Sequence, residues 1–393
     1  MNSARMTQLD GLRACAVASV ILWHYAVVPL HWAGESFPGI NKIFLLSWAG
    51  VDLFLVLSGY LIADILFKAR DTTNYFRVFY WRRVCRLMPL YVLLLASFFV
   101  ARTVLADREV LQPLLKSEAP QPWTYFFLVQ NFGMAIGESF GAGWMTPTWS
   151  LALEWQFYLL LPVLVRSAPR RVVVTVAVGA IVAAPLVRAL VPPLVGYVSL
   201  PTRMDGLFLG VILAHALSRP NAVAACRRAP WTCLFGLALL FAGVSVMAVR
   251  PEAFGAVTPW YGTFTHTWLA FASAGLLAHL VVFPESFGSR ILARRPLVLL
   301  GQLAYAAYLI HQPVARVLFA LTTGGEPDLS TAGGIGLTLV AVGLTFGIAW
   351  LLYSTVEQRF IALGRRVHYD YGEAAVRTPT PATTPRPVAL VRR

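Results

Sequence analysis

A polytopic, all-α membrane bundle of about ten transmembrane helices is predicted by three features of this sequence. The chain of 393 residues is 58% hydrophobic and only 13% charged. One soluble core cannot bury that much apolar surface, whereas a bilayer solvates it, provided the backbone closes its hydrogen bonds inside helices. Apolar runs near the ~20 residues that cross ~30 Å of hydrocarbon recur ten times, at about 10–30, 47–67, 88–106, 149–166, 171–191, 203–218, 231–249, 260–282, 298–320 and 332–356. Basic residues concentrate in every second connection, as the positive-inside rule requires.

The net charge of +14 is dispersed between apolar runs, which argues against one nucleic-acid-binding patch. Lys68, Arg70, Arg77, Arg82, Arg83 and Arg86 follow the second run, Arg166, Arg170 and Arg171 the fourth, Arg219, Arg227 and Arg228 the sixth, and Arg290, Arg294 and Arg295 the eighth. An even number of spans then puts both termini in the cytoplasm of a multi-pass protein of the cell membrane. The four cysteines, Cys15, Cys85, Cys226 and Cys233, lack paired metal-ligand spacing, so free thiols and no metal are expected. The first run is interrupted by Arg13 and His24 and lacks a small-residue cleavage site, so it reads as a retained span.

Between the third and fourth runs, about 107–148, Trp123, Tyr125, Phe126, Phe127, Phe132 and Trp144 predict an interfacial or re-entrant segment against the bundle, able to cover an acceptor site. Residues 1–366 are expected to form the membrane domain. Residues 367–393, with RTPTPATTPRP, are expected to be a disordered cytoplasmic tail. No internal repeat points to an inverted-repeat transporter.

Charged groups inside hydrocarbon are costly and mark functional candidates. In LDGLRACAVASVILWHY, Arg13 and His24 are eleven residues apart, which is three helical turns within about 20°, so both share a face roughly 16 Å apart. Asp10 is on that face, and snorkelling at the interface accounts for Asp10 and Arg13 but not for His24. GVDLFLVLSGYLIAD carries Asp52 near one end and Asp64 near the other, with Ser58-Gly59 suited to close packing. In FYWRRVCRLMPLY, Arg82, Arg83 and Arg86 present guanidinium groups beside Pro89; they anchor the span or bind a phosphate bidentately.

TWSLALEWQFYLLLP sets Ser150 and Glu154 one turn apart, and a buried carboxylate needs a partner. PTRMDGLFLG supplies Arg203 and Asp205, with Gly206 and Gly210 at helix-packing spacing; Arg203 is expected to pair with Glu154 or Asp205, or to line an acceptor pocket. YAAYLIHQP places Tyr305, Tyr308 and His311 on a slowly drifting polar stripe before Pro313, and Glu357 closes the last span. His215 and His279 read as structural.

In order and spacing, LDGLR followed by His24, GVDLFLVLSGYLI, RRVCRLMPLY, TWSLALEWQFY, RMDGLFLG and YAAYLIHQP resemble the acyltransferase-three family of bacterial integral-membrane O-acyltransferases, over about residues 8–360. Members modify sugars of surface polysaccharides, lipids and antibiotics. The resemblance implies that Arg13 and His24 are essential for acyl transfer and that Arg83 and Arg86 serve a cytoplasmic acyl donor. It matches Glu154, Arg203, Asp205 and Glu357 to polar segments without fixing their roles. Many relatives have two consecutive acidic residues where this chain has Glu154-Trp155, and some carry an esterase-like domain after the last helix.

The expected reaction moves an acyl group, acetyl foremost, from acyl-coenzyme A to a hydroxyl of a carbohydrate-containing acceptor: a polysaccharide, glycolipid or glycosylated small molecule. Acyl-coenzyme A is a co-substrate, and no permanently bound cofactor is expected. His24 and Arg13 are the catalytic candidates; Arg82, Arg83, Arg86, Asp10 and Glu357 are assigned to the donor; Asp52, Glu154, Arg203, Asp205, Tyr308 and His311 to the acceptor or its pocket. His24 acts either as general base or through an acyl-histidine. The competing readings are a transporter or flippase whose charges line a permeation path, and an inactive sensor or scaffold.

Overall fold

The computed structural model describes residues 6–29, 44–105, 107–116, 118–249, 262–325 and 327–371; the expected tail beyond Tyr371 falls outside them. Every regular element among the described residues is helical. The described residues hold ten long helices in succession: α1 (Thr7–Leu22), α2 (Gly50–Ala69), α3 (Tyr75–Val104), α4 (Thr148–Ser167), α5 (Arg170–Leu190), α6 (Leu200–Leu217), α7 (Trp231–Val249), α8 (Thr265–Val282), α9 (Arg295–Thr322) and α10 (Ala332–Leu352). Eight of the described helices are long and apolar enough to cross a membrane. The two remaining expected spans are helical too: α1 continues through a π-helical turn at Trp23–Val27, and α7 is a single helix of 19 residues.

The largest departure in boundaries is α3. The third apolar run begins near 88, yet the helix begins at Tyr75 and carries Pro89 inside it. Counting apolar residues finds only the part in hydrocarbon; the preceding turns are basic and aromatic, and they extend the same helix beyond the membrane.

Glycine decides which helices meet closely. A Cβ on Gly11 would overlap the Leu292 carbonyl, and one on Gly301 the Asp10 carbonyl, so α1 runs parallel to α9 with backbones nearly touching. A Cβ on Gly59 would likewise strike the Leu207 carbonyl and one on Gly210 the Val56 carbonyl, which locks α2 against α6. Gly236 and Gly275 face each other between α7 and α8. Without a hydrophobic drive between lipid-solvated helices, such close approach supplies the packing and dispersion energy that holds them.

The segment between α3 and α4 forms short helices at Gln112–Leu115, Trp123–Phe126 and Gln130–Ile136. Trp123, Phe126, Phe127 and Phe132 are exposed, while Gln130 donates to the Thr148 carbonyl at 2.9 Å and Asn131 to the Val198 carbonyl at 3.2 Å. Its aromatic face is outward and its polar face is spent on the bundle, as an interfacial segment demands. Gly143 brings it beside the Arg316 guanidinium on α9.

Gly301→Ala should lower the unfolding free energy by about 1–3 kcal/mol through overpacking. Gly179→Ala, where a Cβ meets nothing, should be neutral or stabilising. Denaturant unfolding of the detergent-solubilised protein, followed by circular dichroism, separates the two.

Candidate active site

Three cavities succeed one another along α1 and α9. The first is lined by Arg13, Ser58, Arg83, Arg86, Glu154, Tyr158 and Tyr305 among others. The second is largely apolar and takes Ala16, Val17 and Val20 from α1, Ser150 and Glu154 from α4, and Ala304, Tyr305 and Tyr308 from α9. It shares Phe54, Glu154, Ala304 and Tyr305 with the first. The third is lined by His24, Tyr25, Gln312, Ala315 and Arg316 and shares no lining residue with the second. Along the chain, α1 contributes Arg13, Ala16, Val17 and Val20 from one face, and the π-helical turn beyond it contributes His24 and Tyr25.

Arg13 is oriented by Asp10, whose carboxylate accepts from Nη1 at 3.0 Å. Among the described residues neither Arg83 nor Arg86 forms an ion pair. The Arg83 guanidinium lies over the rings of Phe79 at 5.6 Å and Tyr158 at 5.7 Å, and its Nε is buried without a hydrogen bond. Both carboxylate oxygens of Glu357, 1% exposed in a second π-helical turn at Tyr353–Glu357, are also unbonded, within electrostatic range of Arg86 and Arg13. Unpaired buried charge is destabilising unless something arrives to pair with it. Two or three guanidinium groups around a cavity suit an anion, phosphate above all.

At the far end His24 stands in the π-helical turn, its ring 5.1 Å from the His311 ring and within 3.4 Å of the Gln312 amide nitrogen. Nδ1 of His311 lies 2.6 Å from the Tyr308 carbonyl. Donation there leaves Nε2 of His311 as a buried lone pair without a partner. Tyr25 donates to the His311 carbonyl at 2.5 Å, fixing this part of α9 to α1. Tyr308 and Ser150 share a hydroxyl hydrogen bond of 2.6 Å, and Glu154 accepts from Ser58 at 2.6 Å and from Tyr158. Ser150, Glu154 and Tyr308, with Tyr305, give the apolar middle cavity its few polar points.

The remaining buried charges pair with one another, although Nε and Nη1 of Arg203 and Nε2 of His266 are left without a hydrogen bond. Arg203 bonds Asp52 at 2.9 Å, and Nδ1 of His266 reaches the same carboxylate at 3.2 Å. Arg188 bonds Asp205 at 2.7 Å and also donates to the Thr202 and Thr263 carbonyls, while Thr267 bonds Asp205 at 2.6 Å. The expected pairing of Arg203 with Glu154 or Asp205 is therefore corrected. The tight α2–α6 contact puts Asp52 opposite Arg203, α5 delivers Arg188 to Asp205, and Glu154 is satisfied by hydroxyls. Asp52, Arg203 and Asp205 line none of the three cavities.

Arg82 is separated from Arg83 and Arg86. It donates to the Val367 carbonyl at 2.8 Å and stacks on Tyr369, outside the cavity. The sequence reading missed Arg188, His266, Gln312 and Arg316. The first two had a signal, an ionisable residue within an apolar run. Gln312 and Arg316 continue the α9 face of Tyr305 and Tyr308 by a turn each, and that extension was available from helical spacing alone.

The sequence model of the family described as "Acyltransferase domain" matches residues 6–354. Among curated proteins, the chain is 31% identical over 339 residues to "Putative peptidoglycan O-acetyltransferase YrhL" of Bacillus subtilis, covering 81% of this chain and 50% of that protein. It is 27% identical over 325 residues to "O-acetyltransferase OatA" of Staphylococcus aureus, covering 78% of this chain and 50% of that protein. The chain thus spans about half the length of these relatives. No solved structure matches it.

Asp52→Ala should remove about 3–5 kcal/mol of stability by leaving Arg203 buried without its counter-charge. Denaturant unfolding in detergent checks this, and the loss should exceed that of Asp64→Ala, whose partner Lys68 is exposed.

Proposed function

Because this chain belongs to the acyltransferase family, we propose that it transfers an acyl group, acetyl foremost, from acyl-coenzyme A to a hydroxyl of a carbohydrate-containing acceptor. The observation that supports the reading is the line of three cavities along α1 and α9, with arginines outside any ion pair among the described residues at one end and the His24 imidazole at the other. Arg83, Arg86 and Arg13 hold the donor's phosphates. The pantetheine arm then extends through the middle cavity, whose walls are apolar apart from the Tyr308–Ser150 hydroxyls, Tyr305 and Glu154. The distance from Arg13 to His24, roughly 16 Å along the helix, is comparable with that arm. The thioester arrives at His24.

There the neutral imidazole removes the proton of the acceptor hydroxyl as its oxygen attacks the thioester carbonyl. The C–S bond breaks as the C–O bond forms, and the coenzyme A thiolate takes up the proton. The Gln312 amide, within 3.4 Å of the ring, orients the imidazole, and the Arg316 guanidinium that also lines this cavity favours the developing negative charge. The acceptor enters through the His24 cavity, beside the aromatic segment between α3 and α4. The basic connections gather at the opposite, arginine-lined end, which by the positive-inside rule is cytoplasmic. The acceptor class is suggested by relatives named as O-acetyltransferases, one of them of peptidoglycan.

A transporter lining its path with charge would need no terminal base and would leave its substrate unchanged. Incubation of the purified protein with radiolabelled acetyl-coenzyme A and a peptidoglycan or polysaccharide acceptor tests the choice. Acceptor-dependent thiol release should fall about 10²–10⁴-fold in His24→Ala, and Arg86→Ala should raise KM for the donor. Undiminished turnover in His24→Ala removes the imidazole from the chemistry.

A further inference from the structure

Residues 367–370 are bound to the start of α3 rather than standing free of it. The backbone of Thr73 donates to the Asp370 carbonyl at 3.0 Å, and its hydroxyl to the Asp370 carboxylate at 2.9 Å. The Asn74 amide donates to the His368 carbonyl at 2.9 Å and accepts from the Asp370 amide at 3.0 Å. Arg82 holds the Val367 carbonyl with two nitrogens, at 2.8 and 3.2 Å. The short helix before this strap, Gln358–Arg365, packs so closely that Gly364 faces Cys85 and Arg82 directly. The strap therefore lies along α3 at the arginine-lined end of the passage.

Tyr369 is its one large side chain in that position. The ring covers the Arg82 guanidinium at 5.1 Å and lies within electrostatic range of Arg83. The Tyr369 hydroxyl is buried with no hydrogen-bond partner, and so is Nε of Arg83. An orphaned phenol donor beside an unpaired guanidinium is an arrangement that a phosphate oxygen satisfies, accepting from both. A structural strap needs only the bonds from Thr73, Asn74 and Arg82, and those leave the hydroxyl unexplained.

We infer that the strap completes the donor site, with the Tyr369 hydroxyl and Arg83 binding a phosphate on the adenine-nucleotide end of coenzyme A at the mouth of the passage. This rests on the acyl-coenzyme A reading above and extends it to a part of the donor that the passage itself does not hold. The arm occupies the passage, so the nucleotide stays at the mouth, near the strap where it packs on α3 at Arg82.

Equilibrium dialysis of the full chain in detergent against radiolabelled adenosine bisphosphate, the nucleotide half of coenzyme A alone, tests it without turnover. Wild type and His24→Ala should bind alike. Tyr369→Phe, which keeps the ring and its packing, should bind roughly tenfold more weakly, the effect of one hydrogen bond to a charged group. Asn74→Ala, which unpins the strap, should also weaken binding. In kinetics, Tyr369→Phe should raise KM for acetyl-coenzyme A and leave KM for acetyl-phosphopantetheine, which lacks the nucleotide, unchanged. Equal nucleotide binding by Tyr369→Phe and wild type, or displacement of the nucleotide by phosphatidylglycerol alone, overturns the inference. Nucleotide binding that survives while wild type releases no thiol refutes the acyl-transfer reading and leaves the binding site standing.

Discussion

The parallel contact of α1 with α9 is the constraint on which the rest of the structure depends. At Gly11 and Gly301 the two backbones approach so closely that a methyl group on either would strike a carbonyl of the other helix or its lead-in. Closeness at one end, with larger side chains beyond it, sets two helix faces side by side over several turns. Arg13 then lines one cavity with Gly301, Ala304 and Tyr305, Ala16, Val17 and Val20 line the next with Ala304, Tyr305 and Tyr308, and His24 lines the third with Gln312. A wider contact would admit side chains between the helices and close the passage, as packing at interior density requires.

Buried charge in this molecule divides into two populations with different physical roles. Arg203 with Asp52 and His266, and Arg188 with Asp205 and Thr267, are neutralised locally and lie off the passage. They join α2, α5, α6 and α8. Replacing such pairs by apolar residues is often neutral, but breaking one is severe, so they specify how the helices fit together more than they add net stability. Arg83, Arg86 and Glu357 form no ion pair among the described residues, at one end of the passage. Stability is given up there, as it is at sites that must receive a charged ligand.

The bundle was legible in the sequence because hydrocarbon thickness fixes span length, and length plus composition is enough to find nearly every long helix. The shared face of Arg13 and His24 followed from helical geometry alone, since it needed no knowledge of the partner helix. Pairing across helices was not legible. Asp52 and Arg203 are 151 positions apart, and their meeting depends on the register of α2 against α6, which glycine contacts set in three dimensions. Arg82 shows the same limit at close range: one position from Arg83 on a helix, it turns about 100° away and meets a chain segment more than 280 residues later.

The two π-helical turns occur at opposite ends of the passage, one carrying His24 and the other Glu357. A π turn admits an extra residue into a helix and shifts the face of everything beyond it. In α1 the shift comes after Val20, so the residues facing the middle cavity keep regular spacing and only the imidazole end is re-aimed. In the chain leaving α10 the shift comes before Glu357, turning its carboxylate toward Arg13 and Arg86 and away from lipid. An ionisable side chain in hydrocarbon must be directed at a cavity or a counter-charge, and each π turn carries one such side chain. No composition or periodicity signal announces such a turn. The two ends of the passage are thus specified by local departures from the regularity that made the spans themselves readable.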